Sequence, residues 1–282
     1  MFRTILVLGR VSNLPTVWAN TVAAWFLAGG DWDERMLWAA LAGSLLYIGG
    51  MTLNDAFDGK WDKEHGKDRP IAQGKISANL VWVLGFLQLL SGTAIFVLLA
   101  GAEPQWVAAL LGAILLYNWL HKRFVGAMWI MGLCRALLFL SAASCVIDVT
   151  SLDQIAFFWA IALMAYTAGI TYAAQGEDTH QTVRLLAAVL LWFPILLGLL
   201  TLVTLGEKDT LVLRIGVVVL YFGWLLLSYQ KLPKVGAFVT SVIAGMVLLD
   251  AMAVSAIDLQ AAAVCAACLP LTRLFQRFIP AT

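Results

Sequence analysis

The sequence predicts an all-α fold, a polytopic bundle of transmembrane helices. Of its 282 residues, 62% are hydrophobic and only 12% charged, and the mean hydropathy is +0.87. Soluble domains sit nearer about 45–50% apolar and about 25% charged, so this chain is too apolar to present a water-facing surface. Apolar stretches of about 17–24 residues recur along it, each long enough as a helix to cross about 30 Å of hydrocarbon. The loops between them alternate in majority charge sign.

The elements follow in order. The first span covers 12–29, behind a short segment with Arg3 and Arg10. Arg10 interrupts that segment too early for a signal-peptide core, so the first span is expected to start insertion itself. Asp31, Asp33 and Glu34 precede the second span, 36–53. A loop with Lys60, Lys63, Lys67, Arg69 and Lys75 leads to the third, 80–101. Glu103 introduces the fourth, 104–120, and Lys122 with Arg123 the fifth, 124–147. Asp148 and Asp153 precede the sixth, 154–174, and Arg184 the seventh, 185–206. Glu207 and Asp209 precede the eighth, 211–230, then Lys231 and Lys234 the ninth, 236–257. Asp258 opens the tenth, 259–275, with Arg273 and Arg277 at its end. The positive-inside rule places both termini in the cytoplasm of an inner-membrane protein. That requires an even number of spans and favours ten over nine. No Ser/Gly-rich linker divides the chain, so 1–282 reads as one domain.

Partners are bounded by the same counts. Nucleic-acid binding would need a basic face, and the short basic loops supply none, so no nucleic-acid partner is expected. Cys134, Cys145, Cys265 and Cys268 all fall in apolar runs; Cys265 and Cys268 form a CxxC, but it lies in a helix-like run without nearby histidines, so all four read as small buried residues rather than a redox or zinc site. His65, His121 and His180 sit in or beside cytoplasmic loops, where solvated or interfacial side chains are the default.

One stretch does not follow from topology. Residues 54–70 read NDAFDGKWDKEHGKDRP, with nine charges in seventeen residues against 12% for the chain. Asn54, Asp58 and Asp62 are spaced i, i+4, i+8, and Asp55 falls three before Asp58. If the second span continues as a helix past the membrane face, all four share one side, adjacent members about 6 Å apart along the axis. Like charges at this spacing destabilise a helix. A bridging cation resolves the conflict, and carboxylate and amide oxygens suit Mg²⁺. The neighbouring lysines and Arg69 are phosphate ligands. Together they point to a lipid-borne diphosphate held at the mouth of a membrane bundle.

N-D-x-x-D-x-x-x-D at Asn54–Asp62 resembles the first aspartate-rich motif of the UbiA superfamily of intramembrane prenyltransferases. DRPIAQGKIS (68–77), GRVSNLPTVWAN (9–20) and LYNWLHKR (116–123) resemble further segments of that family. The resemblance implies nine core helices, here with a tenth C-terminal span, around a central cavity opening at the cytoplasmic side. It implies Mg²⁺-dependent transfer of a polyprenyl group from a polyprenyl diphosphate to a small acceptor, commonly an aromatic ring, within the bilayer. By position it assigns Mg²⁺ to Asn54, Asp55, Asp58 and Asp62, with Asp58, Asp62 and Lys122 catalytic. Lys122, near Tyr117, would contact the diphosphate, and Arg69 would be a second phosphate contact or a loop organiser. Arg10 and Asn13 would line the cavity mouth or anchor the interface.

The family's second aspartate series has only a reduced counterpart. GITYAAQGEDTHQ (169–181) offers Glu177 and Asp178 as metal ligands, adjacent and therefore diverging by about 100° on a helix. Its A-x-x-E ending is similar to a divergent bacterial subgroup from Ebo-type clusters. The reduction motivates an alternative: a non-catalytic relative that binds or moves an isoprenoid or a hydrophobic precursor. The basic loops that hold the two motifs lie four spans apart, which hints at two related halves. Arg135 and Asp250 lie inside predicted spans, where ionisable groups are costly and face the bundle interior. Each reads as either functional or structural, satisfied by carbonyls and by each other.

Overall fold

The computed structural model describes residues 2–66, 69–179, 185–204 and 210–281, without the side chains of 176–179. Among the described residues the protein is all-helical: α1 (Phe2–Leu8), α2 (Leu14–Leu27), α3 (Glu34–Glu64), α4 (Ala78–Leu98), α5 (Pro104–Leu120), α6 (Ala127–Ala143), α7 (Gln154–Thr179), α8 (Leu185–Thr204), α9 (Leu211–Tyr229), α10 (Val235–Val254) and α11 (Leu259–Phe278). Each of helices α2 to α11 overlaps one of the ten apolar stretches of the sequence. Seven of them (α3, α4 and α7 to α11) are long and apolar enough to cross a membrane by length and composition, and α5 and α6 are shorter apolar helices. The protein is a multi-pass membrane protein.

Local chemistry sets the helix ends. Asp33 caps α3 by accepting from the Arg35 amide, Ser77 caps α4 through the Leu80 amide, and Asp258 caps α11 through the Ala261 amide. Each satisfies an amide that the first helical turn leaves unpaired. Pro104 opens α5, where a missing N–H costs nothing.

Consecutive helices pack against one another from α2 to α11, and α11 returns to α2. Helices α2 and α10 sit at the centre. Twelve of the fourteen residues of α2 are buried, and it touches α3, α6, α10 and α11. Helices α4, α8 and α9 carry rows of exposed large apolar residues, such as Leu87, Leu90, Leu196, Val203, Val212 and Leu220. A bilayer accepts such faces; water does not. The α3–α4 pair packs closely through glycine. A Cβ on Gly92 would lie 3.0 Å from the Ala42 carbonyl oxygen, so backbone meets backbone there.

Candidate functional site

Helix α3 does not stop at the predicted membrane face. It runs unbroken through the acidic series to Glu64, so Asn54, Asp55, Asp58 and Asp62 stand on one helix, and all four are buried. Asp58 and Asp62 are only 8% and 4% exposed, which a solvated loop would not require. The neighbours explain the burial. The end of α5 packs here, and Asn118 bridges the two helices. Its Nδ2 donates to the Gly50 carbonyl at 3.0 Å, and its Oδ1 accepts from Asn54 Nδ2 at 3.1 Å. His121 Nε2 lies 3.1 Å from Asp58 Oδ2 and 3.4 Å from Asn54 Nδ2. Lys122 Nζ sits 3.5 Å from the same Asp58 oxygen and 3.8 Å over the Trp61 ring. Tyr117 stacks on His121.

Three cations surround the series. Arg10 and Arg69 face Asp55 electrostatically, and Lys122 faces Asp58. Arg10 holds φ at +43°, the one non-glycine residue with positive φ among the described residues. It turns the chain from α1 into the 3-10 turn Val11–Asn13, and strain of this kind collects at ligand clamps.

Below the series lies a cavity of about 220 Å³. On α3 it is lined by Tyr47, Gly50 and Met51, the turns just before Asn54, so cavity and acidic series share one side of the helix. Arg10, Tyr117 and Asn118 line it near the series, and Arg135 lines it from α6. From α7 it receives Thr167, Ile170, Thr171 and Ala174. The Glu177 and Asp178 side chains, further along α7, lie outside the described residues, as do Lys67, Asp68 and His180.

Several expectations change on contact with the structure. His121 is not a solvated loop histidine; it is joined to Asp58 and Asn54. Asn118 also belongs to the site, and its signal in the sequence is the i, i+3, i+4 spacing of Asn118, His121 and Lys122 on one helical face. Asn13 does line the cavity, but its amide is engaged: Nδ2 donates to Tyr47 Oη at 3.1 Å and to the Ala281 carbonyl at 3.0 Å. Arg135 and Asp250 are both buried yet form no ion pair with each other; Arg135 donates to Thr16 and Met246, and Asp250 accepts from Asn20 at 3.5 Å. The cysteines are free, with Cys145, Cys265 and Cys268 buried. Cys134 is half-buried on the cavity wall.

A model of the UbiA prenyltransferase family matches residues 12–275. The chain belongs to that family. Solved structures agree on the fold. A UbiA homologue from Aeropyrum pernix K1 superposes with a TM-score of 0.63 at 15% identity, covering 87% of this chain and 97% of its own. A UbiA homologue from Archaeoglobus fulgidus bound to GPP and Mg²⁺ gives 0.59 at 14% identity, covering 90% and 99%. A digeranylgeranylglyceryl phosphate synthase gives 0.53 at 15% identity, covering 99% and 95%. A search of curated proteins returns no match.

The residues of this UbiA-family chain fit a hard divalent cation. Asn54, Asp55, Asp58 and Asp62 offer buried oxygen donors with cations around them for an accompanying anion. No three His, Cys, Asp or Glu side chains converge into a complete metal cage among the described residues. Mg²⁺ does not need one, because it commonly takes one or two carboxylates and completes its shell with water and substrate phosphate oxygens.

Proposed function

We propose that this protein transfers a polyprenyl group from a polyprenyl diphosphate to a small acceptor inside the membrane. The observation that carries the reading is the buried acidic face of α3, with Arg10, Arg69 and Lys122 around it and, one turn earlier on the same helix, a cavity that Arg10, Tyr117 and Asn118 line. Asn54, Asp55, Asp58 and Asp62 would hold Mg²⁺, with Glu177 and Asp178 contributing from α7. The bound ion would neutralise charge on the departing diphosphate.

The chain's own residues do the rest. Lys122 and Arg69 bind diphosphate oxygens, and Arg10 adds positive charge at the cavity entrance. His121 and Asn118 hold Asp58 and Asn54 in place, so the oxygen donors are fixed before substrate arrives. As the carbon–oxygen bond to diphosphate breaks, an allylic cation forms, and the face of Tyr117 is available to stabilise it. The apolar walls from Leu46, Leu110, Ile114 and Leu138 exclude water, which would otherwise capture the cation. The acceptor then attacks the allylic carbon and loses a proton.

In this reading residues 1–282 act as one domain in the inner membrane. Nine core spans and a tenth C-terminal span surround the cavity, both termini are cytoplasmic, and the cavity opens to the cytoplasm. A second reading has its own support. Asp58 is already paired with His121 and Lys122, and the second acidic series is reduced, which favours binding or movement of an isoprenoid without chemistry.

Released diphosphate distinguishes the two. Purified protein given geranylgeranyl diphosphate, Mg²⁺ and candidate acceptors should release diphosphate, and Asp62→Ala should abolish release. Tight Mg²⁺-dependent binding of the lipid without release under any acceptor would leave the binding reading standing and remove the transfer reading.

A further inference from the structure

We infer that Lys231 and Arg273 form a site for the headgroup of an anionic phospholipid, at the end of the bundle where α9 turns into α10 and α11 finishes. The two cations come from separate elements: Lys231 follows α9, and Arg273 lies in the last two turns of α11. Adjacent residues of α10 bring them together. Lys231 Nζ donates to Ser241 Oγ at 2.8 Å. Arg273 Nη1 donates to Gln276 Oε1 at 2.8 Å, and Gln276 Nε2 donates to the Thr240 carbonyl at 3.2 Å. None of these helices carries a residue of the α3 acidic series, so the inference does not depend on prenyl transfer.

Lys231 is held in a prepared seat. Ser228 and Ser241 behind it are fully buried, and their hydroxyl protons are committed. Ser228 Oγ donates to the Trp224 carbonyl at 2.8 Å, so Ser241 Oγ donates to Ser228 Oγ at 2.8 Å and is left as an acceptor for the ammonium. Nζ also lies 5.6 Å from the centre of the Trp224 ring, whose indole N–H is fixed on the Ser241 carbonyl at 2.9 Å. The positive-inside rule accounts for cations on this side of the bundle. It requires no buried hydroxyl pair and no indole to hold one of them in place. Burial first, and the Arg273 charge second, lower the Lys231 pKa from its ordinary value, so the two cations feel each other.

Neither cation has a carboxylate partner among the described residues, and most of their N–H groups make no hydrogen bond there. The acidic residues of 211–278 are Asp250 and Asp258. They lie about 13 Å along α10 from Ser241 and about 22 Å along α11 from Arg273. Two like charges held together without a carboxylate call for an anion, and phosphate oxygens accept from both an ammonium and a guanidinium. Leu226 and Leu227 on α9 and Leu274 on α11 are exposed, which gives acyl chains an apolar surface beside the pair. Basic pockets between membrane helices take anionic headgroups in this way. A zwitterionic headgroup would bring its own cation to the pair, so the occupant is a lipid with net negative charge.

The test is native mass spectrometry of the intact, delipidated chain in detergent, titrated with phosphatidylglycerol or phosphatidylcholine, with inorganic phosphate as competitor. The first phosphatidylglycerol should bind at least about ten-fold more tightly than the first phosphatidylcholine. Lys231→Gln and Arg273→Gln should each remove most of that preference. Both side chains are part-exposed, so the core stays intact, and a thermal melt checks each variant. Arg3→Gln, which neutralises an exposed cation of α1, should leave the preference unchanged. Equal affinity for the two lipids overturns the inference with no variant needed. A preference that survives the double variant Lys231→Gln/Arg273→Gln overturns it as well. So does a preference that falls as far with Arg3→Gln, because it would then belong to the basic face as a whole. Inorganic phosphate that displaces phosphatidylglycerol at equal concentration overturns the lipid assignment in favour of a free anion.

Discussion

Asp58→Asn tests the α3 series with the least disturbance of shape. The carboxylate faces His121 Nε2 at 3.1 Å and Lys122 Nζ at 3.5 Å. Two unit charges 3.5 Å apart attract by roughly 5 kcal/mol at an effective dielectric of about 20. The Asp58 side chain is 11% exposed but that of Lys122 is 34% exposed, so solvent screens part of this attraction. Desolvation removes more. What remains is of the order of a charge-assisted hydrogen bond, about 1.5–3 kcal/mol. A cation bridging Asp58 to a substrate diphosphate draws on the same charge. The variant should therefore bind geranylgeranyl diphosphate in Mg²⁺ about 10- to 150-fold more weakly, since each 1.4 kcal/mol is about a factor of ten. Calorimetric titration of protein in lipid nanodiscs, with and without Mg²⁺, measures this, and a thermal melt confirms that the variant is folded. Unchanged affinity in a folded variant, or a gain in affinity, would refute the assignment of Asp58 to the metal and diphosphate.

Two further outcomes follow from the packing and the loops. Gly92→Ala places a methyl group 3.0 Å from the Ala42 carbonyl oxygen, so α3 and α4 must separate; melting in detergent should shift down by an amount equivalent to about 1–3 kcal/mol, and an unchanged melt would show that the helices slide freely. Asp33 lies in the loop before α3, where the Arg35 amide and guanidinium hold its carboxyl below the usual aspartate range. A depressed pKa stabilises above the unfolded value and loses that contribution as pH falls through the folded value. Asp33→Ala should therefore lower the melting temperature at neutral pH and have a shrinking effect below about pH 4; an effect that grows in acid would contradict the cap.

Much of the candidate site was legible because its signal is local. The i, i+4, i+8 spacing of Asn54, Asp58 and Asp62 is a property of one helix, and the structure continues α3 through it. The partners of those residues were not legible. Asn118, His121 and Lys122 meet the series only because the end of α5 packs on α3, across more than sixty residues of chain. Read alone, a histidine beside a basic loop gives no sign of this. The engagement of Asn13 with Ala281 has the same origin, since α11 returns to α2 at the far end of the sequence.

The sequence by itself determined the all-helical membrane class, the positions of ten apolar helices and the acidic face of α3. These depend on composition, on apolar run length and on helical period, which no neighbour can alter. Only the tertiary structure decided which side chains surround that face and what Arg135 touches. Two helices can carry matched spacings and never meet; burial of the Asp58 carboxylate beside His121, and of Arg135 between a thioether and a hydroxyl, is settled by how α2, α3, α5, α6 and α10 pack around the cavity.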